Sequence, residues 1–214
     1  VGSKVAMAAT GIGLWLFIVA HMAGNLAVYL GRDVFNQYAA ALHHNPPLLW
    51  FIRVCLLVGF PVHILTAIRT AQLNREARPT AYVFENRSPA RMAAKTMNLS
   101  GLVILAFLLM HLAHFTWRIV GPQPTALLPT GDYDAYTMLV LGFQQPVFAV
   151  FYVVVQFLLA AHLSHGLYSM FQHLGLWGRR FTPWLKGASL FVAYGICAAF
   201  ASIPLTVLLG IVKP

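Results

Sequence analysis

Residues 145–172, QPVFAVFYVVVQFLLAAHLSHGLYSMFQ, decide the fold. A helix needs about 20 mostly apolar residues to cross a hydrocarbon core, and this run exceeds that. It contains no Asp, Glu, Lys or Arg, yet His162 and His165 lie well inside it. An ionisable side chain at that depth is costly and marks a functional site by default.

Four more runs of the same kind lie at 5–30, 48–72, 97–120 and 187–212. Of the 214 residues 59% are hydrophobic and 9% charged. A soluble domain carries charge on roughly a quarter of its residues. No alternating strand pattern appears, and spanning backbone must satisfy its own hydrogen bonds. The expected fold is therefore all-α and integral to a membrane, one bundle of five transmembrane helices over residues 1–214. The first run lacks the basic start, short core and small-residue cleavage site of a signal peptide, so it reads as a true span.

Between the spans, Asp33–Leu42 places Phe35, Tyr38, Ala39 and Leu42 at helical spacing. It is expected as an amphipathic helix on the membrane surface. Pro46 and Pro47 suit the first turn of span two, and Pro61 should kink that span near His63. The segment 74–95 reads as a polar loop with Pro79 and Pro89, and Ser88 is a helix-capping candidate. Asp134–Leu141 is expected as a second short surface helix. Trp177 and Trp184 suit an interfacial belt. Span five carries Pro204 but no histidine, and is expected to serve packing alone.

The net charge of +9 is distributed by side. Arg69, Arg75, Arg78, Arg87, Arg91 and Lys95 follow span two; Arg179, Arg180 and Lys186 follow span four; Lys4 precedes span one. The opposite side has Arg32, Arg118 and Lys213 against Asp33, Asp132 and Asp134. The positive-inside rule places the N-terminus in the cytoplasm and the C-terminus outside. The charge thus reads as topology, or as a face for an acidic partner protein, with no nucleic-acid role. Cys55 and Cys197 lie inside apolar runs without ligand spacing and read as small apolar residues.

Four of the five runs carry histidine: His21, His63, His111 with His114, and His162 with His165. A helical rise of about 1.5 Å per residue puts His21 and His111 roughly 24 and 21 Å from the inner edge, and His63 and His162 roughly 13 and 15 Å from it. Spans one and three offer an outer pair, spans two and four an inner pair, with a vertical gap on the order of 10 Å. Zinc asks for four nitrogen or sulfur ligands, or three and water. Di-iron bundles need glutamates, and no span holds an acid. Clustered copper would not divide its histidines by depth. Two stacked bis-histidine b-type haems fit the counts, the depths and the missing acids. Small residues at Ala20, Gly24, Gly59, Ala161 and Gly166 would let a flat macrocycle approach the backbone. Helix–helix hydrogen bonding and a proton relay are the alternatives. Depth does not choose between His111 and His114, or between His162 and His165, because i,i+3 residues share a face.

Several stretches together resemble a known family. They are Ala20-His21-Met22-Ala23-Gly24-Asn25, Phe35-Asn36-Gln37-Tyr38-Ala39, Phe60-Pro61-Val62-His63, Ser100-Gly101 leading to His111, and His162-Leu163-Ser164-His165-Gly166-Leu167-Tyr168-Ser169. The chain resembles the dihaem cytochrome b membrane anchor of succinate:quinone oxidoreductases, the succinate dehydrogenases and menaquinol:fumarate reductases with a single five-helix anchor. The resemblance implies that His21, His63, His111 and His162 are the axial ligands of two haem b groups, paired His63 with His162 inside and His21 with His111 outside. It implies a flavoprotein (FAD) subunit and an iron–sulfur subunit docked on the cytoplasmic face of a prokaryotic inner membrane. Electrons would pass between that face and a membrane quinone, menaquinone being favoured, and no dicarboxylate site would lie on this chain.

Arg53, His43, His44 and Arg32 are the outer-side candidates for quinone protonation or propionate pairing, with snorkelling the competing role for Arg53. His114, His165, His173, Arg179 and Arg180 are secondary candidates for propionate, quinone or partner contacts, with Arg91 and Lys95 on the inner side. Absence of a carboxylate within the spans speaks against a carboxylate-borne proton path. A cytochrome b serving another membrane dehydrogenase, and a histidine-relay transporter, are the competing functions.

Overall fold

The computed structural model describes residues 2–77, 89–176 and 178–214, and of residues 89–95 the backbone alone. The expectations for Arg78, Pro79, Arg87, Ser88 and Trp177, and for the side chains of Arg91 and Lys95, lie outside the described residues. Among the described residues seven α-helices follow one another: α1 (Gly2–Leu26), α2 (Arg32–His43), α3 (Pro46–Glu76), α4 (Pro89–His111), α5 (Ala135–Gln144), α6 (Pro146–His173) and α7 (Thr182–Leu208). A 3-10 turn at Ala27–Leu30 extends α1, and a π turn at Leu112–Thr116 extends α4. Five of the helical segments are long and apolar enough to cross a membrane. The sequence boundary at residue 72 left Glu76 outside span two, but α3 ends on it.

Local chemistry sets the helix ends. Asn45 caps α3 by accepting from the Leu48 N–H at 3.2 Å, and Pro46 and Pro47 follow at positions whose N–H would have no helical partner. Pro146 opens α6 in the same way. Gly31, at φ 98°, makes the turn from α1 into α2. The helix of α3 runs through Pro61 without interruption.

The packed helix pairs define the architecture. α1 lies along α3, α4 along α6, and α1 touches α6, while α3 meets α4 only slightly. These contacts arrange the four histidine-bearing helices as a ring, α1–α3–α4–α6. Its diagonals, α1/α4 and α3/α6, are not packed pairs. α7 lies along α6 and also touches α1.

Lys4 and the ends of α3 and α6 mark one end of the bundle, here the basic end. α2 and α5 cover the other, the capped end. The largest buried cluster lies there and includes Val28, Phe35, Leu139, Val140, Phe143 and Val207. The surface position expected for the 134–141 segment is therefore corrected. α5 is a buried helix, because its sequence AYTMLVLGFQ offers no polar face to solvent. α2 has the expected two faces, with Phe35 and Asn36 buried. The Tyr38 ring of α2 packs on the backbone of α1 at Gly24, where any Cβ would collide with it. Gly24 accordingly accommodates a tyrosine.

One carboxylate ties the cap together. Asp134, 3% exposed, pairs with Arg32 and accepts from Asn36 Nδ2 at 2.9 Å, from the Thr137 N–H at 3.0 Å and from the Thr137 hydroxyl at 2.7 Å. Asn36 Oδ1 accepts from the Tyr136 N–H at 3.0 Å. These bonds cap α5 and join it to α2. Burial alone would raise the Asp134 pKa, but the hydrogen bonds from Thr137, Asn36 and Arg32 outweigh it and hold the group at about 2.

Candidate functional site

The histidines meet at two levels. Towards the capped end, the His21 ring of α1 and the His111 ring of α4 stand 5.8 Å apart, centroid to centroid, at 85°. Phe17 stacks on His21 at 5.4 Å, and Phe200 of α7 approaches the same ring at 5.8 Å. Span five thus packs against this level through Phe200. Phe107 and Phe115 flank His111 at 5.8 and 5.6 Å. The Asn25 side-chain nitrogen donates to the His21 carbonyl at 2.7 Å and lies 3.3 Å from His21 Nδ1.

The π turn separates His111 from His114. A regular helix would keep the two on nearly one face. Here the extra residue per turn, marked by the Trp117 N–H bonding the Leu112 carbonyl at 2.7 Å, carries His114 away from His21. His114 is fully buried, stacked on Phe115 at 4.1 Å and 4.6 Å from the Phe148 ring. Its Nδ1 lies 3.3 Å from the Tyr152 hydroxyl, which is also 3.4 Å from His111 Nδ1. Its Nε2 has no hydrogen-bond partner and is wedged against the backbone. A Cβ at Gly142 would sit 2.8 Å from that Nε2 and 3.0 Å from Cε1. Gly142→Ala is expected to destabilise the chain by about 1–3 kcal/mol through overpacking. A lowered unfolding temperature in lipid nanodiscs checks this, and an unchanged one contradicts it.

Towards the basic end, His63 of α3 and His162 of α6 are near enough to interact electrostatically. Each has a hydroxyl on Nδ1 from the neighbouring packed helix. Thr10 Oγ1 of α1 lies 3.3 Å from His63 Nδ1, and Ser100 Oγ of α4 lies 3.0 Å from His162 Nδ1. The adjacent glycines bring the rings against helix backbone: a Cβ at Gly11 would be 3.4 Å from His63 Cε1, and one at Gly101 3.6 Å from His162 Cε1.

The two halves of the bundle repeat this arrangement. Thr10-Gly11 precedes His21 on α1 as Ser100-Gly101 precedes His111 on α4, with the same offset. A short helix follows at the capped end in each half, then a Pro-started helix carrying His63 or His162. The eleven residues from Thr10 to His21, and from Ser100 to His111, make three turns, so hydroxyl and histidine share a helix face. At 1.5 Å per residue that offset is about 16 Å along each helix.

The remaining candidates divide. Arg32 is committed to Asp134, and His44 Nε2 lies 2.9 Å from Asp132 Oδ1. Both therefore fasten the cap. His43 Nδ1 lies 2.9 Å from the Ala39 carbonyl of its own helix. The Arg53 guanidinium lies over the Trp50 ring at 5.2 Å. His165 and His173 lie two turns apart on α6, towards the end of the bundle that holds Lys4. Arg179 and Arg180 are exposed. This set gathers at the basic end, away from the His21–His111 level.

A bis-imidazole centre gives a distance against which the His21–His111 pair can be compared. With metal–nitrogen bonds of about 2 Å, two such rings have centroids about 6 Å apart, close to the His21–His111 separation of 5.8 Å. Among the described residues no group of three or more His, Cys, Asp or Glu could hold a bare ion; a bis-imidazole centre requires only two. Trp15 Nε1, on α1 between Thr10 and His21, and Gln156 Oε1, on α6 between Tyr152 and His162, are buried without partners. They provide a donor and an acceptor between the levels for a prosthetic group with polar edges. Compared with family models, curated proteins and solved structures, the chain matches none of the three.

Proposed function

We propose that this chain is the membrane-anchor cytochrome b of a succinate:quinone oxidoreductase, a succinate dehydrogenase or a quinol:fumarate reductase. It would link an iron–sulfur subunit at its basic end to membrane quinone. The observation that carries this reading is the ring pair of His21 and His111, 5.8 Å apart on α1 and α4, helices that are not a packed pair. His21 with His111, and His63 with His162, would hold two haem b groups, and Trp15 would donate to a propionate. Bound haem would supply one-electron redox chemistry at each level. Phe17, Phe107, Phe115 and Phe200 would exclude water around the capped-end histidines, and the Thr10 and Ser100 hydroxyls would orient the basic-end ones.

The basic end, with Lys4, His173, Arg179 and Arg180, would face the cytoplasm and dock the iron–sulfur and flavoprotein subunits. Arg53 at the opposite end of α3 is the cation best placed to meet quinone, menaquinone being favoured, because Arg32 and His44 already have carboxylate partners. The same bundle would serve a cytochrome b of another membrane dehydrogenase, and copurifying subunits separate the two. Gentle detergent extraction of the tagged chain from its native membrane is expected to bring down succinate:quinone reductase activity with FAD-containing and iron–sulfur subunits. Recovery with a hydrogenase or formate dehydrogenase, or without partners or haem, contradicts the reading.

A further inference from the structure

We infer that Thr10 and Ser100 are positioning residues that hold His63 and His162 in a single tautomer, with the proton on Nδ1 and a free lone pair on Nε2. The inference deepens the reading of these histidines as haem ligands and rests on it for its redox consequence.

The donor count carries it. Thr10 Oγ1 lies 2.8 Å from the Ala6 carbonyl and 3.2 Å from the Met7 carbonyl. Carbonyls only accept, and the Ala6 carbonyl is the nearest acceptor to the Thr10 hydroxyl, which back-bonds to its own helix. With the proton placed there the oxygen offers lone pairs to His63 Nδ1, 3.3 Å away, and that nitrogen donates. Ser100 repeats the device: its hydroxyl donates to the Met97 carbonyl at 3.0 Å and leaves a lone pair for His162 Nδ1 at 3.0 Å. A neutral imidazole carries one ring proton, so Nε2 is bare in both. A bare nitrogen is what a metal binds, and an acceptor on the opposite N–H fixes the ring and raises its basicity.

The capped-end level is built differently. The Tyr152 hydroxyl lies between His111 Nδ1 and His114 Nδ1, with one proton for two nitrogens. That hydroxyl has no helix carbonyl among its contacts to take its proton, whereas each hydroxyl at the basic end has one. Thr10 and Ser100 come from separate helices in corresponding places, so the same device occurs twice.

The test uses the full chain in lipid nanodiscs with ring-15N histidine, assigned by single replacements, at neutral pH. In the haem-free chain His63 and His162 are expected to be protonated on Nδ1. Thr10→Val should shift His63 towards the Nε2-protonated form and leave His162 alone, Ser100→Ala should do the converse, and Thr10→Ser should restore the original state. In the haem-loaded chain either loss should raise the midpoint potential of the basic-end haem, leave the other unchanged, and weaken basic-end haem retention on the order of 10-fold. Nε2-protonated His63 and His162 in the unaltered chain, or unmoved tautomers and potentials in both variants, would overturn the inference. A chain with the expected tautomers that binds no haem instead sinks the cofactor reading and its redox consequence.

Discussion

His21→Ala is expected to remove one haem of two and leave the other in place. The capped-end level depends on a ring pair, His21 and His111, carried by helices that do not pack against each other. Losing one ring leaves the other without an opposed ligand. The basic-end pair is carried by the other two helices, α3 and α6, and its hydroxyl on α1 is Thr10, three turns before the mutated position. Haem content should therefore fall by about half, with one bis-histidine species surviving. His162→Ala should give the mirror result and retain the capped-end haem. His114→Ala should keep both, because His114 is packed against Gly121 and Gly142 and turned away from His21. Extracted-haem assays and reduced spectra of nanodisc preparations read all three. Equal loss of both haems in His21→Ala, with folding intact, would mean a different pairing.

Asp134→Ala is expected to detach the cap. The carboxylate is buried and has four hydrogen-bonded contacts, including the N-terminal cap of α5. Removing one partner of a buried pair costs about 3–5 kcal/mol. The low end applies, because the Arg32 side chain is 51% exposed and regains water. The pH dependence has a definite sign. The folded pKa, about 2, lies below the ordinary value of 3.8, so the ionised form stabilises the fold. That contribution is complete above the ordinary value and is lost as pH falls through the folded one, giving a window from about pH 4 down to about 2. Unfolding of the unaltered chain should steepen across that window, and the Asp134→Ala chain should be flatter there. Equal steepness would place the acid-sensitive group elsewhere.

How much of this was legible in the sequence depended on periodicity. Long apolar runs gave all five spans, since length and hydropathy act without tertiary context. The α2 helix was readable from Phe35, Tyr38 and Leu42 at helical spacing. The burial of α5 was not, because a short apolar helix looks the same on a membrane surface and beneath a cap. Depth grouped His21 with His111, whose rings meet across α1 and α4, because helical rise acts without tertiary context. The separation of His111 from His114 required a π turn that no residue pattern announces. The Thr10 hydroxyl had a signal that was missed: Thr10-Gly11 stands to His21 as Ser100-Gly101 stands to His111. A comparison of the two halves of the chain would have found it.

Whether two levels of paired histidines hold two haems is tested most directly by the haem-to-chain ratio of the chain purified from its native membrane, taken with low-temperature electron paramagnetic resonance. Two b-type haems per chain are expected, both low-spin with two imidazole ligands. A haem-free chain, or a single haem that survives both His21→Ala and His162→Ala, would contradict it.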